Sequence, residues 1–388
     1  MTQAGRTLSA FHLCSDYARQ SLYPQLLSAI AAPGVRQFMY VPVRTAAEID
    51  VGRIDDDPAI SFRFEHLLRP HHKLMFRTKI RRVLGDVLAK TPVREFRLVH
   101  AHFLYSDGAV ALALHRELGL PYVVAVRNAD VNAFMRLRPD LAGIRNDVLR
   151  HASRVVFLSP AYAEAMGRRL PAALRSLVAD KTMTVPNGLA AEWLQGPGLA
   201  AETSNKPVVA LRLLYVGDFT PNKNIAGIIA ALDLLRTQRP TTLTVVGGGG
   251  DVQGRVQVLL DARASSGVSY VGRISDPVQL RALYCSHDVL VMPSFRETFG
   301  LTYIEALSQG VPVVHSRGQG VDGYFAAGTV AAAVDPADAQ SIVRGVLEVA
   351  ARLPAVRDVC RSEARRFDWR LIGQTYRDSY LSILGDST

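Results

Sequence analysis

Cysteine is scarce. Only Cys14, Cys285 and Cys360 occur in 388 residues, far apart and at no metal-ligand spacing. That excludes a disulfide framework or a zinc ribbon and fits a reducing, cytoplasmic setting. No charged-then-apolar leader opens the sequence, so no secretory signal is expected. No apolar run is long enough to span a bilayer. No recognition-helix motif and no basic–aromatic platform appears, so nucleic acid is not expected as a partner. No nucleophile–base pair stands out, and no resident cofactor or metal is expected. What is abundant is basic charge: 45 Lys and Arg against 35 Asp and Glu give +10. Acidic partners follow, such as a nucleoside diphosphate or an anionic membrane surface. The length suggests two or three domains, and 48% hydrophobic residues are ample for their cores.

One stretch organises the rest. Val289-Leu290-Val291-Met292 reads as a strand, and Pro293-Ser294 marks a turn. Glu297 follows in a loop, then a helix beginning near Gly300, with Ile304 and Leu307 on its buried face. Glu305 lies in its second turn, and a further apolar strand starts at Val311. The N–H groups of Gly300 and Leu301 form an anion seat at the helix start, flanked by two carboxylates. A nucleotide sugar needs that set: diphosphate in the middle, ribose on one side, hexose on the other.

The residues Glu297-Thr298-Phe299-Gly300-Leu301, then Glu305-Ala306-Leu307 and Gly310-Val311-Pro312-Val313, resemble the signature of retaining GT-B glycosyltransferases, specifically family 4. The resemblance implies that Glu297 reads hydroxyls of the donor sugar and Glu305 those of the ribose. Phe299, Gly300, Leu301 and Thr302 then line the donor site. Upstream, a strand at 211–216 leads into Gly217-Asp218 and Lys223. In the family this loop commonly carries an arginine after the glycine and, beyond four intervening residues, a lysine, both holding the diphosphate. Lys223 matches and, with Glu297, is assigned to catalysis. Asp218 stands in the arginine's place and must turn away, pair with a cation or meet something else. Arg273 and Ile274 resemble the family loop that contacts the base. The glycine run 247–250 follows a strand, but lacks a dinucleotide fingerprint. The loop 315–324 resembles the cleft loop of members that build bacterial surface polysaccharides. Asp368 begins a last helix with Ile372, Tyr376, Tyr380 and Ile383 on one face.

The first half resembles the family more loosely. A strand at 8–14 precedes a loop holding Asp16, without the paired glycines usual there. A strand at 98–103 carries His100 and His102, the latter read as core or acceptor-side. After a strand at 122–126 comes Arg127-Asn128-Ala129-Asp130. Family members often have His-Gly-Thr/Ser-Asp here; Asp130 matches, and Arg127 replaces the histidine as a cation for an anionic acceptor or a phosphate. Asp16, His102, Arg127 and Asp130 are the acceptor-side set. Residues 62–90 are basic and interleaved with apolar ones. Ile80, Val83, Leu84, Val87 and Leu88 form a helical stripe expected to pack in the core. Arg77, Lys79, Arg81 and Arg82 lie on the other faces, either as a solvated flank or as an anionic-membrane patch with Met75 or Phe76 inserted.

The expected fold is α/β, GT-B: two Rossmann-like domains facing across a cleft. Residues 1–195 form the acceptor-side domain and 206–370 the nucleotide-sugar domain, with a linker at 196–207. Residues 371–388 form a helix returning to the first domain. The expected function is metal-independent, retaining transfer of a hexose from a nucleotide diphosphate sugar to a saccharide or lipid-linked acceptor, cytoplasmic or peripheral on the inner membrane face. A GT-B nucleotide-sugar epimerase and a non-catalytic nucleotide-sugar-binding protein are the alternatives.

Overall fold

The computed structural model describes residues 8–195 and 210–385, with all their side chains except that of Lys73. The segment 196–207, read as a linker, lies outside them. The chain forms two compact units. One comprises residues 8–158, 163–188 and 369–385; the other comprises Ser159–Tyr162 and Leu189–Asp368.

The first unit is built on seven strands: β1 Leu8–Leu13, β2 Val35–Val43, β3 Ile60–His66, β4 Leu98–Ala101, β5 Tyr122–Val126, β6 Arg154–Phe157 and β7 Thr182–Thr184. Their order is β3-β2-β1-β4-β5-β6-β7, and each neighbouring pair is parallel. The second unit has six: β8 Leu211–Gly217, β9 Thr241–Gly247, β10 Val268–Gly272, β11 Val289–Val291, β12 Val313–Ser316 and β13 Ala331–Val334. Their order is β10-β9-β8-β11-β12-β13, again parallel. Parallel neighbours require crossover connections, here mostly helices. With both faces covered, strands such as Tyr122–Val126 and Val289–Val291 are buried at every residue. Both units are Rossmann-like, and each sheet reverses direction at one point, β1/β4 and β8/β11, where such folds place ligands.

The segment 62–90 departs from expectation. Its start belongs to β3, where Ile60-Ser61-Phe62-Arg63-Phe64 alternates and pairs with β2. The helix is Phe76–Lys90. Val83 and Val87 enter the core, but Ile80 and Leu84 are only half-buried and line a surface groove of about 1030 Å³. Phe76 is not available for insertion in a membrane: it is buried, edge-on to Phe134. Lys79 is turned inward and donates to Ser106 Oγ at 2.6 Å. Leu74 and Met75 remain exposed, at 82% and 52%. No helix among the described residues is long and apolar enough to cross a membrane.

The last helix, Trp369–Leu384, packs on Leu22–Ile30 within the first unit. Ile372, Tyr376 and Tyr380 join Leu26 and Ile30 in one apolar cluster. Gly373 permits the approach: a Cβ there would stand 1.8 Å from the Ala29 carbonyl oxygen. Arg377 Nη1 then donates to the carbonyls of Ala29 and Ile30, at 2.7 and 3.2 Å.

Candidate active site

Two loops leave the switch point of the second sheet, 218–224 after β8 and 292–300 after β11. Side-chain amides stitch them together. Asn222 Nδ2 donates to the Arg296 carbonyl at 2.7 Å, and Phe295 N–H to the Asn222 carbonyl at 2.9 Å. Asn224 holds φ 57°, a left-handed conformation that asparagine tolerates. Its amide reaches the carbonyls of Pro293 and Pro336. The stitch sets Lys223 Nζ 2.7 Å from Glu297 Oε2, with both side chains largely buried. Two residues 74 apart in sequence thus meet as one ion pair.

Beyond Glu297 the chain turns sharply at Gly300, φ +84°, where a Cβ would lie 2.5 Å from the Tyr303 ring. The helix Leu301–Ser308 starts there with no side-chain cap. Its first N–H groups, including those of Leu301 and Thr302, therefore remain for an anion. The loop 317–323 braces the turn: Glu297 N–H donates to Gln319 Oε1 at 3.1 Å, and Gly320 N–H to the Glu297 carbonyl at 2.9 Å. Phe299 is buried against Tyr324 and Phe367, so it anchors the loop and leaves only its backbone to a ligand. Glu305 accepts one hydrogen bond, from Tyr284 Oη at 3.2 Å. Burial lifts its carboxyl to about 7, against the opposing pull of that hydroxyl. Its remaining acceptor capacity suits a pair of hydroxyls.

Asp218 pairs with a cation. Arg273 Nη2 bonds Asp218 Oδ1 at 2.8 Å and the Gly248 carbonyl at 2.7 Å, lying over the glycine run after β9. Gly217 ends β8 in register with Gly247. The aspartate at position 218 thus meets a cation from just beyond the end of β10. Ile274 follows, half-buried.

In the first unit three of the acceptor-side residues, Asp130, Arg127 and His102, are buried. Asp130 is buried and binds backbone: Oδ2 accepts from Arg127 and Leu104 N–H, Oδ1 from Tyr105 N–H. Burial raises its carboxyl to about 6, although those N–H groups pull the other way. Arg127 is buried too and donates to Asn187 Oδ1 at 3.2 Å. His102 is fully enclosed in a stack with His100 and His12. Burial lowers His12 to about 3 and the other two well below the usual imidazole range, so all three are neutral. This is the group among the described residues whose ring nitrogens approach metal-ligand spacing, within 4.8 Å. Two hydrogen bonds account for the grouping: His12 Nδ1 to His102 Nε2 at 3.2 Å, and His100 Nδ1 to Tyr380 Oη at 2.6 Å.

Asp16 and Asp130 both lie in the wall of a pocket of about 430 Å³ at the carboxyl ends of the strands. Arg44, Arg69, His72 and Lys79 share that wall. Sequence reasoning missed the pocket. The available signal was the density of cations in 62–90, which was assigned to an outer face.

Residues 23–188 match the family model described as glycosyl transferase 4-like domain, and 201–367 the model described as glycosyl transferases group 1. Glycogen synthase of Mycobacterium tuberculosis is 26% identical over 295 residues, 74% of this chain and 68% of that protein. D-inositol 3-phosphate glycosyltransferase 2 of Catenulispora acidiphila is 28% identical over 314 residues, 75% of this chain and 72% of the other. Among solved structures, sucrose-phosphate synthase from Thermosynechococcus elongatus aligns with a TM-score of 0.73 at 22% identity, over 98% of this chain and 100% of its own. Anabaena HepE in complex with UDP gives 0.69 at 16%, over 97% and 100%. At such identities the solved structures speak to the fold alone, and that fold is GT-B.

Proposed function

The chain belongs to the GT-B glycosyltransferases of the family 4 type, and from that premise we propose that it transfers a hexose from a nucleoside diphosphate sugar to a saccharide or lipid-linked acceptor with retention at the anomeric carbon. The observation that carries this reading is the Lys223–Glu297 pair beside the uncapped start of helix Leu301–Ser308. In the resting protein Glu297 neutralises Lys223. A diphosphate entering at the helix start offers Lys223 a more highly charged partner. Lys223 moves to it, and Glu297 is released to accept hydrogen bonds from hydroxyls of the donor sugar. Glu305 takes the ribose hydroxyls, and the Arg273–Ile274 loop flanks the base.

As the bond from the anomeric carbon to the phosphate oxygen breaks, its electron pair goes to the leaving diphosphate. Negative charge grows there, and Lys223 with the N–H groups of Leu301 and Thr302 stabilises it. The acceptor hydroxyl attacks from the face that the diphosphate leaves and gives its proton to a phosphate oxygen. Configuration is retained and no covalent enzyme intermediate is needed. The first unit supplies the acceptor side. We further propose that its outer basic face, Arg77, Arg81 and Arg82 beside exposed Leu74, Met75 and Leu137, attaches reversibly to an anionic membrane surface.

The test is turnover of a panel of nucleoside diphosphate sugars with and without pooled saccharide acceptors, with product anomers assigned by NMR. Acceptor-dependent release of nucleoside diphosphate with a retained anomer is expected. Donor loss at equal rates without acceptor would favour an epimerase or hydrolase. Binding without any turnover would leave a nucleotide-sugar-binding protein.

A further inference from the structure

The pocket of about 430 Å³ in the first unit gathers positive charge from several elements. Arg44 follows β2 and Arg69 follows β3. His72 sits in the short turn Pro70–Lys73, and Lys79 in the helix Phe76–Lys90. Phe76, Phe103 and Phe134 complete its apolar side.

The pocket holds more donors than its own acceptors satisfy. Lys79 Nζ donates to Ser106 Oγ and lies 4.8 Å from the centroid of the Phe76 ring. Among the described residues no carboxylate forms an ion pair with it. Its withdrawal from water lowers the ammonium to about 8. His72 is 4% exposed, and its Nδ1 accepts from Arg69 N–H at 3.1 Å. The proton therefore sits on Nε2, which is buried without a partner. Arg69 Nη1 lies 2.9 Å from His66 Nε2, which also lies 3.0 Å from the Arg44 carbonyl. Arg44 reaches Asp16 only at 3.4 Å. Asp130 spends three of its acceptor sites on backbone N–H groups, and it and the buried Asp107 act on Lys79 only from beyond ion-pair distance. A buried donor without an acceptor is costly; His72 Nε2–H is one, and it belongs to the wall of a space of ligand size that also holds the Lys79 ammonium and the exposed guanidinium groups of Arg44 and Arg69.

We propose that this pocket binds an anionic oxyacid group, a phosphate monoester or a carboxylate, carried on a sugar whose apolar face rests on the phenylalanines. That the anionic sugar is the acceptor rests on the glycosyl-transfer reading; that the pocket binds it does not. Lys79 gives the charged hydrogen bond, His72 Nε2–H a neutral one, and Arg44 and Arg69 close over the outer oxygens.

The experiment is titration calorimetry on the full chain with a hexose 6-phosphate, a hexuronate, the neutral hexose and inorganic phosphate, each with and without saturating nucleoside diphosphate. One anionic sugar is expected to bind more tightly than the neutral hexose, with nucleoside diphosphate present. Preference for the phosphate or the uronate identifies the anion. Lys79→Met should weaken it by at least about tenfold while nucleoside diphosphate binding is unchanged. Arg44→Gln, at an exposed position, should weaken it less and guards against a folding defect in the first variant. Neutral hexose binding as well as either anionic sugar, no binding of either, or equal affinities in wild type and both variants would overturn the proposal. Anion binding without sugar transfer would leave the pocket standing and remove the transferase reading. Transfer to neutral acceptors without anion binding would do the reverse.

Discussion

The two units hold their cations differently. In the second, Lys223 and Arg273 rest on the carboxylates of Glu297 and Asp218, at 2.7 and 2.8 Å. In the first, Lys79 has a serine hydroxyl and His72 Nε2 has nothing. A compensated cation must exchange one anion for another, so the ligand's charge adds little to affinity until it exceeds the carboxylate's. A desolvated cation with carboxylates near it, Asp107 and Asp130, but none in direct contact still gains from an anion that arrives within hydrogen-bond distance. The second unit therefore suits a group whose charge grows during a reaction, and the first suits a group recognised by its charge at rest.

The largest expected effect tests the exchange itself. Lys223→Ala should lower turnover about 10²–10³-fold, because it removes a charge most needed as the diphosphate departs. Initial rates over a donor series check this. A raised KM at unchanged kcat would make Lys223 a ground-state contact, and the contrast between the units would lose its kinetic meaning.

The next effect lies on the outer face of the first unit, where exposed arginines act on a surface. Changing Arg77, Arg81 and Arg82 together to Gln should weaken binding to anionic vesicles by roughly 10²-fold, at about 1 kcal/mol per charge. Co-sedimentation across a salt series measures it. The wild-type attachment should fade towards 1 M salt, where the Debye length falls to about 3 Å. Equal binding to neutral vesicles would leave the arginines as a solvated helix face.

Glu305 sharpens the comparison, being a buried carboxylate without a cation. Glu305→Ala should weaken nucleoside diphosphate binding at least about tenfold through lost ribose hydrogen bonds. Its proton gives a second test. The folded chain holds that proton up to about 7 and the unfolded chain only to the ordinary 4.5. As pH rises through that interval the unfolded chain releases the proton while the folded chain still holds it, so stability falls. Glu305→Gln should remove this slope. Its melting temperature relative to wild type should rise between about pH 5 and about pH 8. A constant difference between the two proteins would contradict the raised carboxyl.

The smallest effect concerns Asp218. Both partners of its pair with Arg273 are mostly exposed, and such pairs contribute at most about 1 kcal/mol. Asp218→Ala should leave stability almost unchanged and raise nucleoside diphosphate affinity by up to about fivefold, since Arg273 is freed. Weaker binding would show that Asp218 positions Arg273 rather than occupying it.

Legibility in the sequence followed the range of the contacts. Residues 289–313 carry a strand, a turn, an uncapped helix start, two glutamates and the next strand within one local stretch, and periodicity reads them well. The Asp218–Arg273 pair spans 55 residues, and no local pattern says which cation answers an aspartate. β3 carried its period-two signal in Ile60-Ser61-Phe62-Arg63-Phe64, but the basic helix beyond it drew the whole segment into one reading. Lys79 is the clearest failure. Helical spacing sets it off the apolar stripe and so outward. Ser106, Phe76 and Phe134 turn it inward, and Ser106 and Phe134 come from other elements. The fold was legible from strand and helix patterns taken with the family resemblance carried by residues 297–313; the first-unit pocket was not, because its walls run from Ser15 to Phe134.

The last helix reverses the order in which the chain is made and finished. Its Tyr376 and Tyr380 complete the core over Leu26 and Ile30, and Tyr380 Oη bonds His100. A chain leaving the ribosome presents that face first and receives its cover last, after nearly all of the second unit has been synthesised. The second unit, almost contiguous in sequence, is free to fold as it emerges. The first waits with an apolar surface open, a period in which chaperones and aggregation compete for it. A premature stop codon shortly before Trp369 would therefore do its damage at the opposite end of the message, leaving the second unit whole and the first without its closing helix.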